Sequence, residues 1–408
     1  MKPTIRKAII ASVLLPVFSS PVLAKPQSTP AGPWITPSQT MSLEAFSNYQ
    51  QLTDNLMSIE HASRGRVEID IAGTTAAGRS VWLAKIGDSG KPPVLIITQQ
   101  HGDEPHGTEA ALDLIKFLGG GSREARRITD NLYVLIMPRV NPDGSEMPTR
   151  GNADFDNADP RSTKGCAAAG YDDKGKREIY TTKVPGSSPS LYSYDINRYH
   201  WADWKLSYQY QCDLDENGAP KDTVNPVAEA QAVLDTFARY QPVWLADMHN
   251  QGNHFVDPDQ CAADQACRPG QYVTGGLMWP TNSDVSSGAV DLSKQMAVIV
   301  KQRSMELGNV ELTRYDGDDT FPAIARNAYG LLGAGSLLFE VAGQTEGSSS
   351  FVNGQKANGK ITNGVRKMLL SLLEATANGS LFTVNPADAE NLLIDNGINA
   401  SNPRYAEE

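Results

Sequence analysis

Residues 93–121 read PVLIITQQHGDEPHGTEAALDLIKFLGGG. The opening run is apolar without alternation, which marks a strand covered on both faces. From His106 onward the apolar spacing becomes helical, and three glycines beginning at Gly119 stop the helix. Between strand and helix, HGDE packs an imidazole and two carboxylates into four positions. This strand–turn–helix unit sets the reading of its neighbours. LYVLIMPRV (132–140), PVWLADMH (242–249) and GSLLFEVAG (335–343) are also buried-strand runs, separated by helical segments at 227–240, 289–307 and 363–377. VEIDIAG and SVWLAKIG, joined by TTAAGR, form an expected hairpin before the unit. An amphipathic helix is expected upstream, with Leu43, Phe46, Tyr49, Leu52 and Leu56 on one stripe. Strands alternating with helices of these lengths imply an α/β fold: a mixed, mostly parallel twisted sheet with helices on both faces. With no internal repeat or clear interdomain linker, residues 42–380 are expected to form a single domain with long loop insertions.

The N-terminus has a different character. Lys2, Arg6 and Lys7 precede the apolar AIIASVLLPVF, and VLA ends at Ala24. That is the pattern of a signal peptide over 1–24, implying a secreted or periplasmic protein. Residues 25–41 read as a linker and 381–408 as a polar tail. Removing 1–24 would take three cations and no anion, changing the net charge from −11 to −14. Such an acidic chain is poorly suited to nucleic acid, whose phosphates need clustered Lys and Arg. No stretch is long and apolar enough for a membrane span, and a monomer is expected. The four cysteines are an even set in an exported context, so two disulfides are expected. Of the three pairings, Cys261–Cys267 closes a short loop and Cys166–Cys212 ties down a long insertion; these are favoured.

In open α/β sheets the binding crevice lies beyond the carboxyl ends of the strands. Three strands here end on titratable groups, at HGDE, LADMH and LLFE. His101 and Glu104 leave one strand in a tight turn, and His249 ends another. Two histidines and a glutamate leave a position open on a tetrahedral ion, the arrangement of a catalytic zinc. Glu340, inside an apolar strand, would be a costly buried charge unless it served as a proton acceptor beside that ion. His106, on the first helical turn, and His200 and His254 have weaker claims. DLDENG begins like a calcium loop but has Val224 where a bidentate glutamate is needed, so a polar turn is expected.

These residues resemble the zinc carboxypeptidases of the carboxypeptidase A type. The family's opening H-x-x-E is matched by His101 and Glu104, and its NPDG by residues 141–144. Arg150 falls where several members stabilise an oxyanion. DINR matches the segment whose Asn197 and Arg198 would hold a terminal carboxylate. LADMHNQG supplies the third ligand, His249, and LLFEVAG the general base, Glu340. The likeness runs over about residues 42–376. It implies one Zn2+ per chain and hydrolysis of the last peptide bond of a substrate with a free C-terminal carboxylate, through a zinc-activated water. Two features depart from the pattern. Tyr315 and Tyr329 straddle the place of a capping tyrosine, with Asp318 in the gapless position; Tyr315 is the expected substrate-binding residue. Ala325 or Arg326 falls near the base of the specificity pocket, with Asp318 and Asp319 nearby, so the sequence does not choose between an acidic and a basic terminal residue. An amidase or carboxypeptidase acting on the γ-D-glutamyl–diaminopimelate bond of murein peptides is the alternative enzyme. A peptide-binding member without catalysis is the alternative outside enzymes.

Overall fold

The computed structural model describes residues 46–147, 149–154, 181–183, 191–212, 214–251, 254–255, 272–307, 312–315, 319–342 and 355–395. The expected signal peptide, the linker and most of the insertion after Arg150 lie outside them. In chain order the first half runs α1 (Tyr49–Ser63), β1 (Val67–Thr74), β2 (Ser80–Ile86), β3 (Pro93–Thr98), α2 (His106–Gly119), α3 (Arg123–Thr129), β4 (Tyr133–Met137) and α4 (Pro142–Glu146). Then come β5 (Thr181–Lys183), β6 (Tyr192–Tyr194), α5 (Tyr208–Cys212), α6 (Ala228–Tyr240), β7 (Trp244–Gln251), β8 (His254–Phe255), β9 (Tyr272–Val273) and β10 (Gly275–Met278). The last part contains α7 (Ser287–Leu307), β11 (Leu312–Tyr315), α8 (Ala325–Leu331), β12 (Gly335–Ala342), α9 (Gln355–Ala377) and β13 (Ile394–Asp395).

The main sheet has the order β1-β2-β4-β3-β7-β12-β10-β11-β13. Its centre, β4-β3-β7-β12, is parallel, whereas the β1–β2 hairpin and the β10–β12 pair are antiparallel. The fold is therefore the expected mixed, mostly parallel sheet. Period-two alternation sends β3 side chains to opposite cores. Val94 and Ile96 join Leu114 of α2 and Leu369 of α9 on one face. Leu95 and Ile97 join Phe237 of α6 and Tyr329 of α8 on the other.

Three places differ from the sequence reading. Helix α1 starts at Tyr49, because Asn48 and Gln51 form a reciprocal capping box that halts the helix there. Strands β10 and β11 extend the sheet beyond β12, although GGLM carried little strand signal. Residues 381–395, read as the start of a polar tail, contain two 3-10 turns and β13, which pairs with β11. Leu381, Ala389 and Leu392 anchor this stretch in the core. Cys212, buried on α5, is disulfide-bonded; Cys166, Cys261 and Cys267 lie outside the described residues. Among the described residues no helix is long and apolar enough to cross a membrane.

Beyond the ends of β3 and β4 two loops meet backbone to backbone. A Cβ on Gly102 would sit 2.1 Å from the carbonyl carbon of Gly144, so the HGDE turn can rest on the NPDG turn only without a side chain. Asn141 closes the second turn by accepting from Gly144 N–H (2.8 Å), and its amide donates to the carbonyls of Gln100 (3.1 Å) and Gly151 (3.0 Å). Replacing Gly102 with alanine is expected to cost about 3 kcal/mol, the upper end for overpacking. Chemical denaturation measures it, and an unchanged midpoint would show that the two loops yield freely.

Candidate active site

The chain leaves β3 through Gln99, which has φ 53°, a left-handed conformation unusual for a side-chain-bearing residue. Three contacts hold it there. Arg139 Nε (2.8 Å) and Thr108 Oγ1 (2.5 Å) donate to Gln99 Oε1, and Gln99 Nε2 donates to Gly102 O (2.8 Å). The reversal carries His101 and Glu104 past the sheet's carboxyl edge. There His249 arrives on β7, paired in register with Glu340 on β12.

His101, Glu104 and His249 converge so that one ligand atom from each lies within 4.8 Å of the others. His101 Nδ1 is 2.8 Å from Glu104 Oε1, His249 Nδ1 is 2.9 Å from Glu104 Oε2, and the two Nδ1 atoms are 3.1 Å apart. Both imidazoles turn their Nε2 atoms outward to a carboxylate. Asp195 Oδ1 stands 3.1 Å from His101 Nε2, and Asp247 Oδ2 stands 3.0 Å from His249 Nε2. A carboxylate behind each histidine fixes the tautomer that presents the other nitrogen to a metal.

The charges fit a divalent cation. Glu104, Asp195 and Asp247 are buried, and Arg150, bonded to Asp195 Oδ2 through Nε (3.1 Å) and Nη2 (3.0 Å), offsets one of them. Two negative charges remain, balanced either by two imidazolium protons or by a 2+ ion. The titration directions reflect the protonated alternative. Burial and Arg150 oppose a charge on His101, but Glu104 and Asp195 outweigh them and raise its pKa. Burial likewise opposes protonation of His249, yet Asp247 and Glu104 carry its pKa well above the ordinary value. Burial alone would raise Asp195; Arg150, Arg198 and His101 hold it well below the usual carboxylate range.

The other predicted residues gather around this cluster. Glu340 is partly exposed beside His249, and desolvation, reinforced by Glu104, pushes its carboxyl up to about 7 against the pull of His249. Arg150 Nη1 lies 3.9 Å from Glu104 Oε1. Asn197 has its amide oxygen committed to Ala325 N–H (2.8 Å), with Nδ2 3.3 Å from His249 Nε2. Half-buried Arg198 donates from Nη1 to Asn197 O (2.8 Å). Tyr315 lies over Gly276, the cross-strand partner of Glu340: a Cβ there would be 3.0 Å from the tyrosine ring. His249, Glu340, Gly276 and Tyr315 thus follow one another across four strands on one face. Tyr329 is instead fully buried, with its hydroxyl 2.9 Å from His200 Nδ1. Buried Arg326 donates from Nη2 to Asp319 O (2.8 Å), and Asp318 lies outside the described residues. His106 is buried 2.8 Å from Asn250 Nδ2, and Asn250 N–H donates to Glu104 Oε2 (2.9 Å). The DLDENG stretch contains a polar turn in which Asp215 Oδ1 accepts from Asn217 and Ala219 N–H. His254 opens the short β8.

Residues 53–327 match the zinc carboxypeptidase family, peptidase M14. The chain belongs to that family. Carboxypeptidase M of Mus musculus is 30% identical over 124 residues, covering 28% of this chain and 26% of that protein. Carboxypeptidase SOL1 of Arabidopsis thaliana is 33% identical over 89 residues, covering 20% of this chain and 18% of that protein. The matched segments therefore span about a quarter or less of these carboxypeptidases. Among solved structures, carboxypeptidase A from Helicoverpa armigera superposes with a TM-score of 0.52 at 15% identity, covering 88% of this chain and 77% of that one. Thrombin activatable fibrinolysis inhibitor superposes at 0.54 with 14% identity, covering 88% and 82%. At such identities the likeness is one of fold. The family is zinc-dependent, and His101, Glu104 and His249 are the candidate metal ligands in this chain.

Sequence reasoning overlooked Asp195, Asp247 and Gln100. The signal for Asp247 was available: two residues before His249 on one strand, it must share its face.

The raised histidine pKa values have a sign. Groups whose folded pKa exceeds the unfolded value add stability that is complete below the unfolded pKa and is lost as pH rises through the folded one. The metal-free protein is therefore expected to lose melting temperature as pH rises above the ordinary histidine value of about 6.5, while zinc-loaded protein holds its value. Thermal scans across that rise test the charge account, and metal-free protein that gains stability over the same rise would contradict it.

Proposed function

We propose that this chain is an exported zinc metallocarboxypeptidase that removes the C-terminal residue of peptides, with Glu340 as the general base. The observation that carries the reading is the register of β7 and β12, which pairs His249 with Glu340 at the edge of the metal cluster. Export rests on the N-terminal pattern alone.

A bound zinc supplies Lewis acidity, polarising a carbonyl and making water nucleophilic near neutral pH. This chain's residues do the rest. Glu340 accepts the proton of the attacking water and passes it to the leaving amine, a task suited to a carboxyl poised near the working pH. With a cation held by the triad, the Glu340 carboxyl would be shifted towards its basic form. Arg150, held by Asp195 and bordering Glu104, offsets negative charge growing on the attacked oxygen. Arg198 receives the terminal carboxylate, a pairing whose geometry and charge favour guanidinium. Its anchor to Asn197 O fixes it relative to Ala325 and His249. Tyr315, two strands beyond Glu340, closes over the bound residue.

Peptides paired as free acids and C-terminal amides discriminate this reading. With zinc-loaded protein, mass spectrometry is expected to show loss of one residue from the acids alone. Turnover of a γ-D-glutamyl–diaminopimelate peptide with neither member of the pair touched would move the assignment to wall peptides. Glu340→Gln is expected to lower kcat by about 10²-fold or more while zinc stays bound. Arg198→Gln should lower kcat/KM by about tenfold or more, chiefly through KM, as expected for a lost charge-assisted hydrogen bond. Full turnover in Glu340→Gln removes that residue from the base role.

A further inference from the structure

Behind His249 the polar contacts continue into the core. Gln100 Nε2 donates to Asp247 Oδ2 (2.7 Å), His200 Nε2 lies 2.5 Å from Gln100 Oε1, and Tyr329 OH lies 2.9 Å from His200 Nδ1. Gln100, His200, Tyr329 and Asp247 are all buried, with exposures of 0%, 1%, 0% and 0%. Asp247 Oδ1 has no hydrogen-bond partner among the described residues, so Oδ2 alone meets both Gln100 and His249.

The direction of every bond follows from Asp247. A carboxylate only accepts, so the amide of Gln100 must point its NH2 group at Asp247 and its oxygen at His200. That oxygen only accepts, so His200 must carry its proton on Nε2. Burial pushes the His200 imidazole down to about 4, which leaves it neutral with a lone pair on Nδ1. Tyr329 must then donate to Nδ1, and burial keeps its hydroxyl protonated. At the other end, Asp247 accepts from His249 Nε2–H, leaving His249 Nδ1 free to face His101 and Glu104.

We propose that Tyr329, His200 and Gln100 are positioning residues for the third metal ligand, a one-way hydrogen-bond chain that holds Asp247 and thereby locks His249 in the tautomer and orientation that offer Nδ1 to the cation. The inference rests on the zinc reading of the site and extends it into the core. None of the three belongs to the candidate ligand triad, and only Gln100 reaches it, with Nε2 3.4 Å from His249 Nε2. Their part is to remove the alternatives open to His249: a rotated ring, or a proton on the nitrogen the metal needs. A core filled by apolar side chains at these positions would pack as well, but it would leave Asp247 with one fewer donor.

The test is zinc affinity of folded protein stripped of metal, measured by competition with a chromogenic chelator. The variants are Gln100→Met, Tyr329→Phe and the double variant. Gln100→Met keeps the volume and removes the hydrogen bonds to Asp247 and His200 together with the 3.4 Å contact to His249 Nε2; its zinc affinity is expected to fall by about 10- to 100-fold, the usual effect of losing a partner behind a metal ligand. Tyr329→Phe removes one oxygen and should weaken zinc by about threefold or more, with the smaller effect of a more distant link. It carries the test alone should Gln100→Met fail to fold. Because both act through one chain, the double variant is expected to bind zinc no more weakly than Gln100→Met alone. Cobalt-loaded variants should show altered visible bands, which a loss of global stability would not produce. Affinities within twofold of wild type, or effects that multiply in the double variant, would overturn the chain. Wild-type protein that takes up no zinc would overturn the metal reading and the chain with it, whereas normal wild-type uptake with unaffected variants would overturn the chain only.

Discussion

Three carboxylates buried together would be prohibitive without compensation, and the architecture of the site follows from that electrostatic constraint. Arg150 is bonded to one of them, Asp195, and only borders Glu104 at 3.9 Å, while the hydrogen-bond partners of Glu104 and Asp247 at the cluster are imidazoles. Neutrality therefore depends on something that can arrive and leave: protons or a divalent ion. The two aspartates also settle which nitrogens face inward, so the ligand geometry is prepared before any ion enters.

The sheet supplies the frame. β3 and β7 deliver ligands from adjacent parallel strands, and β12 brings Glu340 alongside His249 in register. A slip of one residue in β12 would send Glu340 to the opposite face, among the side chains that meet α7 and α9. Position along the strand is therefore as much a functional requirement as residue identity. The contact between Gly102 and Gly144 plays the same part for the loops, since it sets how closely the turn carrying His101 and Glu104 can approach its neighbour.

Much of this was legible in the chain. The run from Pro93 to Gly121 displayed a buried strand, a turn carrying His101 and Glu104 and a helix, and the strand ends held the candidate metal ligands and Glu340. What was hidden had physical reasons. GGLM lacks the branched side chains that announce a strand, yet β10 joins the sheet because β12 and β11 offer it open edges on both sides. The start of α1 was set by a cap at Asn48, inside a longer apolar stripe that periodicity alone could not divide. His200 looked unremarkable beside DINR, because its value lies in contacts to residues 100 and 129 positions away. Tyr315 and Tyr329 could not be separated in one dimension; packing places one over Gly276 and the other in the core.

The pairing of β7 with β12 also bears on how the molecule comes to exist. Glu340 and His249 are 91 positions apart and His249 is 148 positions from His101, so the site closes only after the chain has paid the entropy of very large loops. Topologies dominated by such distant contacts form slowly. An ion meeting the nascent chain finds at most His101 and Glu104, a local pair too sparse to organise the sheet. A metal held by this triad would therefore enter late, as a ligand of the finished fold, and would add stability by mass action once the strands are in place. Assembly of the fold and loading of such a site would be separate events, and the first is governed by the order of the strands.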